Sequence, residues 1–110
     1  MENTNDDRRI HPRIPILLMV EYDSLSDFFV DYATDISQGG MFVITREKLG
    51  IGAQVNVKFT LPGESGALEA AGTVVRKTEK PSVGVGIRFD PLPDNAKSAI
   101  ERLWESKIQE

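Results

Sequence analysis

The chain has 110 residues, a formal net charge of −4, a single histidine and no cysteine. This length suits one domain, and the composition excludes a disulfide framework, a thiolate nucleophile and a multi-histidine metal site. An acidic domain is a poor candidate for binding a nucleic-acid polymer, because phosphate backbones favour a broad basic surface. No apolar run approaches the roughly 20 residues of a membrane span, so we expect a cytoplasmic protein without membrane insertion.

The N-terminal segment divides into an acidic tail and a basic stretch. Residues 1–7 have almost nothing to bury, so we expect a disordered tail that is neither a signal peptide nor an anchor. Residues 8–13 read RRIHPR, and Arg8, Arg9 and Arg13 form a local positive patch. Guanidinium groups bind phosphate oxygens and guanine O6/N7 in pairs of hydrogen bonds, so the patch suits a small phosphorylated, planar ligand. A solvated basic linker is the alternative interpretation.

Six segments have the short, apolar character of β-strands and are separated by turn signals. The predicted strands are Ile14–Tyr22, Asp27–Ile36, Gly40–Thr45, Gln54–Leu61, Ala67–Lys77 and Val83–Phe89. The first two are joined by a predicted turn at residues 23–26. The second alternates Phe28, Val30 and Tyr32 with polar or small residues. Gly72, inside the fifth strand, predicts a bulge or a sharp bend.

After Pro91 and Pro93 the apolar period becomes helical, which predicts one amphipathic helix over about residues 94–108. Asp94 is a candidate for its N-cap, and Trp104 is expected to pack over the end of the strand core. Six short strands followed by one helix predict an all-β domain built as a small antiparallel barrel. The strand order stays open at this point.

The segment DISQGG, residues 35–40, forms the turn between the second and third predicted strands. If the extended geometry continues to Ser37, Asp35 and Ser37 point to the same face, because strand side chains repeat every two residues. Gly39 and Gly40 allow positive φ and a close approach of the backbone to a ligand. A carboxylate beside bare backbone suits a planar polar ligand such as a guanine edge. The alternative is a structural turn in which side chains cap their own backbone.

Arg9-x-x-x-Arg13 followed by Asp35-x-Ser37-x-x-Gly40 resembles the two signatures of the PilZ domain family, RxxxR and [D/N]xSxxG. The run VGVGIRF, residues 83–89, also resembles the closing strand of that family. The resemblance covers residues 8–110. It implies a six-stranded antiparallel barrel of Greek-key type with one C-terminal helix, acting as a bacterial receptor for cyclic di-GMP.

The resemblance also implies a role for each signature residue. Arg9 and Arg13 would bind the phosphates and the Hoogsteen edges of the guanines. Asp35 would accept hydrogen bonds from guanine N–H groups, and Ser37 would add one more. Gly40 would let the backbone come close to the ligand.

Three further residues are candidates for the site. Arg8 precedes the first signature arginine, and in the family an arginine there accompanies two stacked messenger molecules, so that stoichiometry is a hypothesis here. Gly39 fills a variable position of the second signature. Arg76, near the end of the fifth strand, is a further candidate contact, with a solvated strand end as the alternative interpretation.

The resemblance implies a non-enzymatic adaptor without a cofactor, whose arginine segment changes shape on binding and signals to a partner protein. Motility, pilus and exopolysaccharide machinery are partner classes of the family, and a monomer or weak dimer is expected. One alternative is a PilZ-like interaction or assembly subunit that has lost nucleotide binding. Another is a barrel for single-stranded nucleic acid or peptide. An enzyme is the least expected class, because Asp35 and Ser37 have no base partner in the sequence pattern.

Overall fold

The computed structural model describes residues 12–24 and 27–108. The elements are β1 (Ile14–Ser24), β2 (Asp27–Ile36), β3 (Gly40–Ile44), β4 (Gln54–Phe59), β5 (Leu68–Thr78), β6 (Gly84–Phe89) and helix α1 (Asp94–Ile108). The predicted tail, residues 1–7, lies outside the described residues. Within the described part of the chain, no helix is long and apolar enough to cross a membrane.

The six strands close into an antiparallel barrel in the order β1-β2-β3-β6-β5-β4. β1, β2 and β3 pair as successive neighbours, and β4 then crosses over to pair with residues 21–23 on the other edge of β1. The spatial order β4-β1-β2-β3 is a Greek key. The predicted six-stranded barrel with one C-terminal helix is therefore confirmed.

The core contains alternate side chains of the strands. In β4 the inward residues Val55, Val57 and Phe59 are buried between exposed polar neighbours. β1 likewise buries Leu18 and Tyr22, because side chains on a strand alternate between the two faces of the sheet. Closure leaves these alternate positions facing one another inside the barrel.

Helix α1 packs on the barrel beside β5. Its buried residues are Ala96, Ala99, Ile100 and Leu103. The Lys97 amide donates to the Pro93 carbonyl at 3.1 Å, so Pro93 is the N-cap. The predicted cap, Asp94, is instead the first residue of the helix, where its negative charge interacts favourably with the helix dipole. Trp104 is half-buried against the core, as predicted.

Two further local predictions differ from the structure. β1 extends into the predicted turn as far as Ser24, because Asp23 pairs with Phe28 and Ser24 with Asp27. The irregularity predicted at Gly72 lies further along β5, where its register with β6 shifts between Val74 and Arg76. Gly72 serves close packing instead, since a Cβ there would lie 2.7 Å from the side chain of Ile87.

β2 presents three of its large apolar side chains to solvent. Phe28, Val30 and Tyr32 are 63%, 51% and 50% exposed, whereas Ala33 is fully buried. The register between β2 and β3 shifts just after Ala33, and such a bulge changes which residues point inward. Up to the bulge, the odd-numbered residues of β2 face the core. The apolar residues at even positions therefore lie on the outer surface of the barrel.

Tyr22 joins β1 to β2 and to the end of β3. Its hydroxyl lies 2.8 Å from Asp31 Oδ2 and 2.9 Å from Thr45 Oγ1, so it donates to the carboxylate and accepts from the threonine. Burial raises the pKa of Tyr22 well above its ordinary value. The bond from Thr45 lowers this pKa by a smaller amount, and Asp31 raises it further.

We expect Tyr22→Phe to lower the free energy of unfolding by about 1–2 kcal/mol near neutral pH, because buried hydrogen bonds are lost. Unfolded tyrosine ionises near pH 10, whereas folded Tyr22 remains protonated there. Above about pH 10 the native wild type therefore binds more protons than its unfolded state and loses stability as the pH rises. The difference in the free energy of unfolding between wild type and Tyr22→Phe should therefore become smaller above about pH 10, as measured by urea unfolding.

Tyr32→Phe is the matched control, because Tyr32 is half-exposed. This substitution should change the free energy of unfolding by less than about 0.5 kcal/mol, both near neutral pH and above about pH 10. A stability difference for Tyr22→Phe that stays constant through alkaline pH would contradict the assignment of a raised pKa to the buried phenol.

Candidate functional site

The hydroxyl of Ser37 closes the turn between β2 and β3. Ser37 Oγ accepts from the amides of Gly39 at 3.0 Å and Gly40 at 3.2 Å, and the Ser37 amide donates to the Gly40 carbonyl at 2.8 Å. Ser37 is 3% exposed, yet it lines an adjoining cavity. Ser37 thus caps the turn, as the structural interpretation of this segment predicted. Its contact with a ligand stays a prediction.

Gly40 is required by the packing of β3 against β6. It pairs with Arg88 in the register, and a Cβ at Gly40 would overlap the carbonyl oxygen of Ile87. The carbonyl of Gly39 accepts from the amide of Phe89 at 2.9 Å. Neither Gly39 nor Gly40 has positive φ. The lack of side chains at Gly39 and Gly40 therefore allows the backbone to lie close to β6. The approach of Gly40 to a ligand stays a prediction.

Arg13 and Asp35 form an ion pair at the rim of the barrel. Arg13 Nη1 donates to Asp35 Oδ1 at 2.6 Å, because the pairing of β1 with β2 brings Pro15 opposite Asp35. The side chains of Arg13 and Asp35 are 56% and 24% exposed. The other guanidinium donors and Oδ2 make no hydrogen bond to a described residue. The second signature arginine and the signature acid are therefore neighbours, as the site prediction requires.

A cavity of about 480 Å³ opens beside this ion pair. Its wall is formed by Arg13, which precedes β1, by the turn at residues 37–40, and by parts of β5 and β6. We call residues 37–40 the signature turn. The lining residues are Arg13, Ser37, Gly39, Gly40, Met41, Val75, Arg76, Gly86, Ile87 and Arg88. This volume lies within the range of sites for small ligands.

Most of the predicted site residues meet at this cavity. Those that line it are Arg13, Ser37, Gly39, Gly40 and Arg76. Asp35 adjoins it through the ion pair with Arg13. Arg8 and Arg9 lie outside the described residues, so their place in the site stays a prediction.

Arg76 lies on the cavity wall and not at a purely solvated strand end. Its guanidinium carbon is 5.6 Å from the centroid of the Phe42 ring, a cation–π distance. Arg76 pairs with Gly86 in the register, and a Cβ on Gly86 would come within 3.3 Å of Arg76 Nε. The glycine therefore leaves the space in which this guanidinium lies.

Arg88 is a cavity residue that the sequence analysis missed. It is exposed and lies opposite Gly40 on the outward face of β6. Alternation along β6 gives that orientation, but only the pairing of β3 with β6 brings Arg88 to the signature turn. Neither Arg76 nor Arg88 forms an ion pair within residues 12–24 and 27–108. With Arg13 they place three guanidinium groups around one cavity.

A second cavity, of about 570 Å³, lies between α1 and the loop that follows β4. Its arginine, Arg102, donates two hydrogen bonds of 2.9 Å to Glu64. These bonds lower the pKa of the Glu64 carboxyl below its usual value. Because Arg102 is already paired, this cavity is the weaker candidate for an anionic ligand. No cluster of potential metal-ligating side chains occurs in the described part of the chain.

The site and fold define a small antiparallel barrel with a cationic cavity at its rim. The family model described as "PilZ domain" matches residues 7–106, so the chain belongs to the PilZ domain family. A search of curated proteins found no match.

Several solved structures share this fold. The Bacillus subtilis inhibitor of motility MotI/DgrA has a TM-score of 0.77 and 18% identity, over 94% of this chain and 53% of that protein. The PilZ domain of Escherichia coli YcgR with c-di-GMP has a TM-score of 0.67 and 17% identity, over 90% of each chain. The PilZ domain of CeSA from a cellulose synthesizing bacterium has a TM-score of 0.61 and 24% identity, over 84% of this chain and 93% of that one. This chain thus spans about half the length of MotI/DgrA.

We expect Gly40→Ala to lower the free energy of unfolding by about 2–3 kcal/mol, because its Cβ would overlap the backbone of β6. Gly50→Ala is the matched control, since a Cβ at Gly50 meets nothing within 4 Å. Urea unfolding of both variants measures the difference. Equal stability of the two variants would show that β3 and β6 do not require a glycine at their closest contact.

Proposed function

We propose that this protein is a bacterial, cytoplasmic receptor for cyclic di-GMP, with no enzymatic activity and no cofactor. The observation that carries the proposal is the convergence of Arg13, Arg76 and Arg88 on one cavity beside the signature turn. Cyclic di-GMP has two phosphates, two guanines and a charge of −2. Guanidinium groups bind phosphate oxygens and guanine O6/N7 through paired hydrogen bonds, and their planar faces stack on bases.

We assign the signature residues the roles expected in the family. Arg9 and Arg13 bind the phosphates and the Hoogsteen edges, and Asp35 accepts from guanine N–H groups. The ion pair between Arg13 and Asp35 supports this assignment, because it holds a donor and an acceptor at the same part of the rim. Among the described residues, the remaining N–H donors of Arg13 and Oδ2 of Asp35 have no hydrogen-bond partner, so they are the groups we assign to the ligand.

We further propose that binding brings residues 8–13 over the ligand. A segment that becomes ordered on binding changes the surface that a partner can contact, and this surface is the output of the receptor. Arg8 would supply a guanidinium for a second, stacked messenger molecule. Motility machinery is one partner class, since the structurally similar MotI/DgrA is an inhibitor of motility. The other two partner classes are the pilus machinery and the exopolysaccharide machinery.

A PilZ-like interaction or assembly subunit that does not bind nucleotide is the second candidate function. The large apolar side chains exposed on β1 and β2 favour it, because contiguous exposed apolar surface commonly marks a protein contact. Absence of cyclic di-GMP binding by the folded wild-type protein would favour this function over the receptor.

Isothermal titration calorimetry tests the receptor. Cyclic di-GMP should bind, whereas GTP and cyclic di-AMP should bind at least about tenfold more weakly. We expect Arg9→Ala, Arg13→Ala and Asp35→Ala each to weaken binding about 10–100-fold, because one charged hydrogen-bonded contact contributes about 1.5–3 kcal/mol. Two messenger molecules per protomer at saturation would support the stacked arrangement, and one would exclude it.

Arg46→Ala is the matched control for these variants. Arg46 is exposed and does not line the cavity, so its loss should leave the affinity within about twofold of wild type. Equal weakening by Arg46→Ala and Arg13→Ala would indicate attraction by overall charge and not a defined site.

Hydrogen–deuterium exchange tests the proposed ordering. Amide protection across residues 8–13 should rise at least about tenfold when cyclic di-GMP is added, since ordering removes amides from rapid exchange. Strand β4, which does not line the cavity, serves as the internal reference and should show unchanged protection. Binding without any change at residues 8–13 would exclude the shape change.

A further inference from the structure

The outer surface of β6 lacks side chains at two successive outward positions. Gly84 and Gly86 alternate along the strand with residues whose side chains are buried in the core, so both glycines face outward. The register places Phe42 of β3 on one side of Gly86 and Arg76 of β5 on the other side. A side chain from each neighbouring strand can therefore reach across β6.

Phe42 and Arg76 meet over these glycines. A Cβ at Gly84 would lie 2.6 Å from Phe42 Cζ, and a Cβ at Gly86 would lie 3.3 Å from Arg76 Nε. The ring and the guanidinium thus occupy the space that side chains of β6 would otherwise fill. The guanidinium carbon of Arg76 is 5.6 Å from the centroid of the Phe42 ring, within the range of a cation–π contact. This contact connects β3 to β5 across the outer surface of β6.

We propose that Phe42 is a positioning residue for ligand binding, which holds the Arg76 guanidinium at the wall of the cavity; this inference rests on the proposed cyclic di-GMP site. Arg76 lines the cavity, whereas Phe42 is half-buried and lies outside the lining. Phe42 therefore acts on the ligand through Arg76 and not by touching it.

An aromatic partner orients a guanidinium without using its N–H donors. A cation–π contact is an attraction between the charge and the face of the ring, so the donors stay free for phosphate or guanine oxygens. Arg102 is the contrast within this chain, because it donates two hydrogen bonds to Glu64. No carboxylate pairs with Arg76 among residues 12–24 and 27–108. Phe42 thus orients Arg76 without neutralising its charge.

Holding Arg76 in place before the ligand arrives should raise the affinity. An arginine side chain has many rotamers, and a ligand that immobilises it must offset the lost entropy. The contact with Phe42 restricts these rotamers beforehand. Arg13 and Arg88 line the same cavity, and their repulsion opposes a third guanidinium there. The attraction to the ring offsets part of this repulsion.

Isothermal titration calorimetry of the full chain with cyclic di-GMP tests the role of Phe42. Arg76→Ala should weaken binding about tenfold, because one charged contact is lost. Phe42→Leu keeps apolar bulk but removes the aromatic face, so it should weaken binding about three- to fivefold. Phe42→Tyr keeps the cation–π contact and should bind within about twofold of wild type. Combined with Arg76→Ala, Phe42→Leu should cause no further weakening, since it acts through that arginine.

Ile44→Ala is the matched control, because Ile44 lies on the same face of β3 as Phe42 and does not line the cavity. Its affinity should stay within about twofold of wild type. Circular dichroism checks that each variant keeps its fold.

Three outcomes would overturn the proposal. Equal weakening by Phe42→Leu with and without Arg76 would show that the ring has only a structural role. Binding by Phe42→Leu as tight as that of wild type would remove the positioning role and leave the receptor assignment intact. A folded wild type that does not bind cyclic di-GMP would overturn the receptor assignment itself, and this inference with it.

Discussion

The close approach of β6 to its two neighbours determines the geometry of the barrel rim. The segment around Ile87 and Arg88 passes between Gly40 of β3 and Gly72 of β5, and neither glycine has space for a Cβ. Hydrogen bonds within the turn at Ser37 hold the end of β2 against this contact. Since packed backbone yields little, this contact fixes the position of the turn against β6.

Positive charge gathers at this rim in a chain whose net charge is −4. Arg13, Arg76 and Arg88 are far apart in the sequence and come together because β5 and β6 pair beside the signature turn. Gly86 leaves room for the side chain of Arg76. A local positive potential therefore arises from topology and not from composition, which suits a small anion better than a long polyanion.

The barrel divides its apolar side chains between a buried core and exposed positions. The core stabilises the fold by removing apolar surface from water. On β1 and β2, a further set of large apolar side chains remains at least half exposed on the outside of the barrel: Leu17, Met19, Phe28, Val30 and Tyr32. These two strands therefore carry apolar side chains on both faces.

The sequence by itself determined the number of strands, the helix and the signature residues, because alternation and turn composition are local properties. It did not determine which face of β2 is buried, since a bulge after Ala33 reverses the alternation. It also missed Arg88, whose place beside Gly40 depends on the pairing of β3 with β6. Only the tertiary structure decided that pairing, because contacts between distant strands are not encoded in the period of either strand.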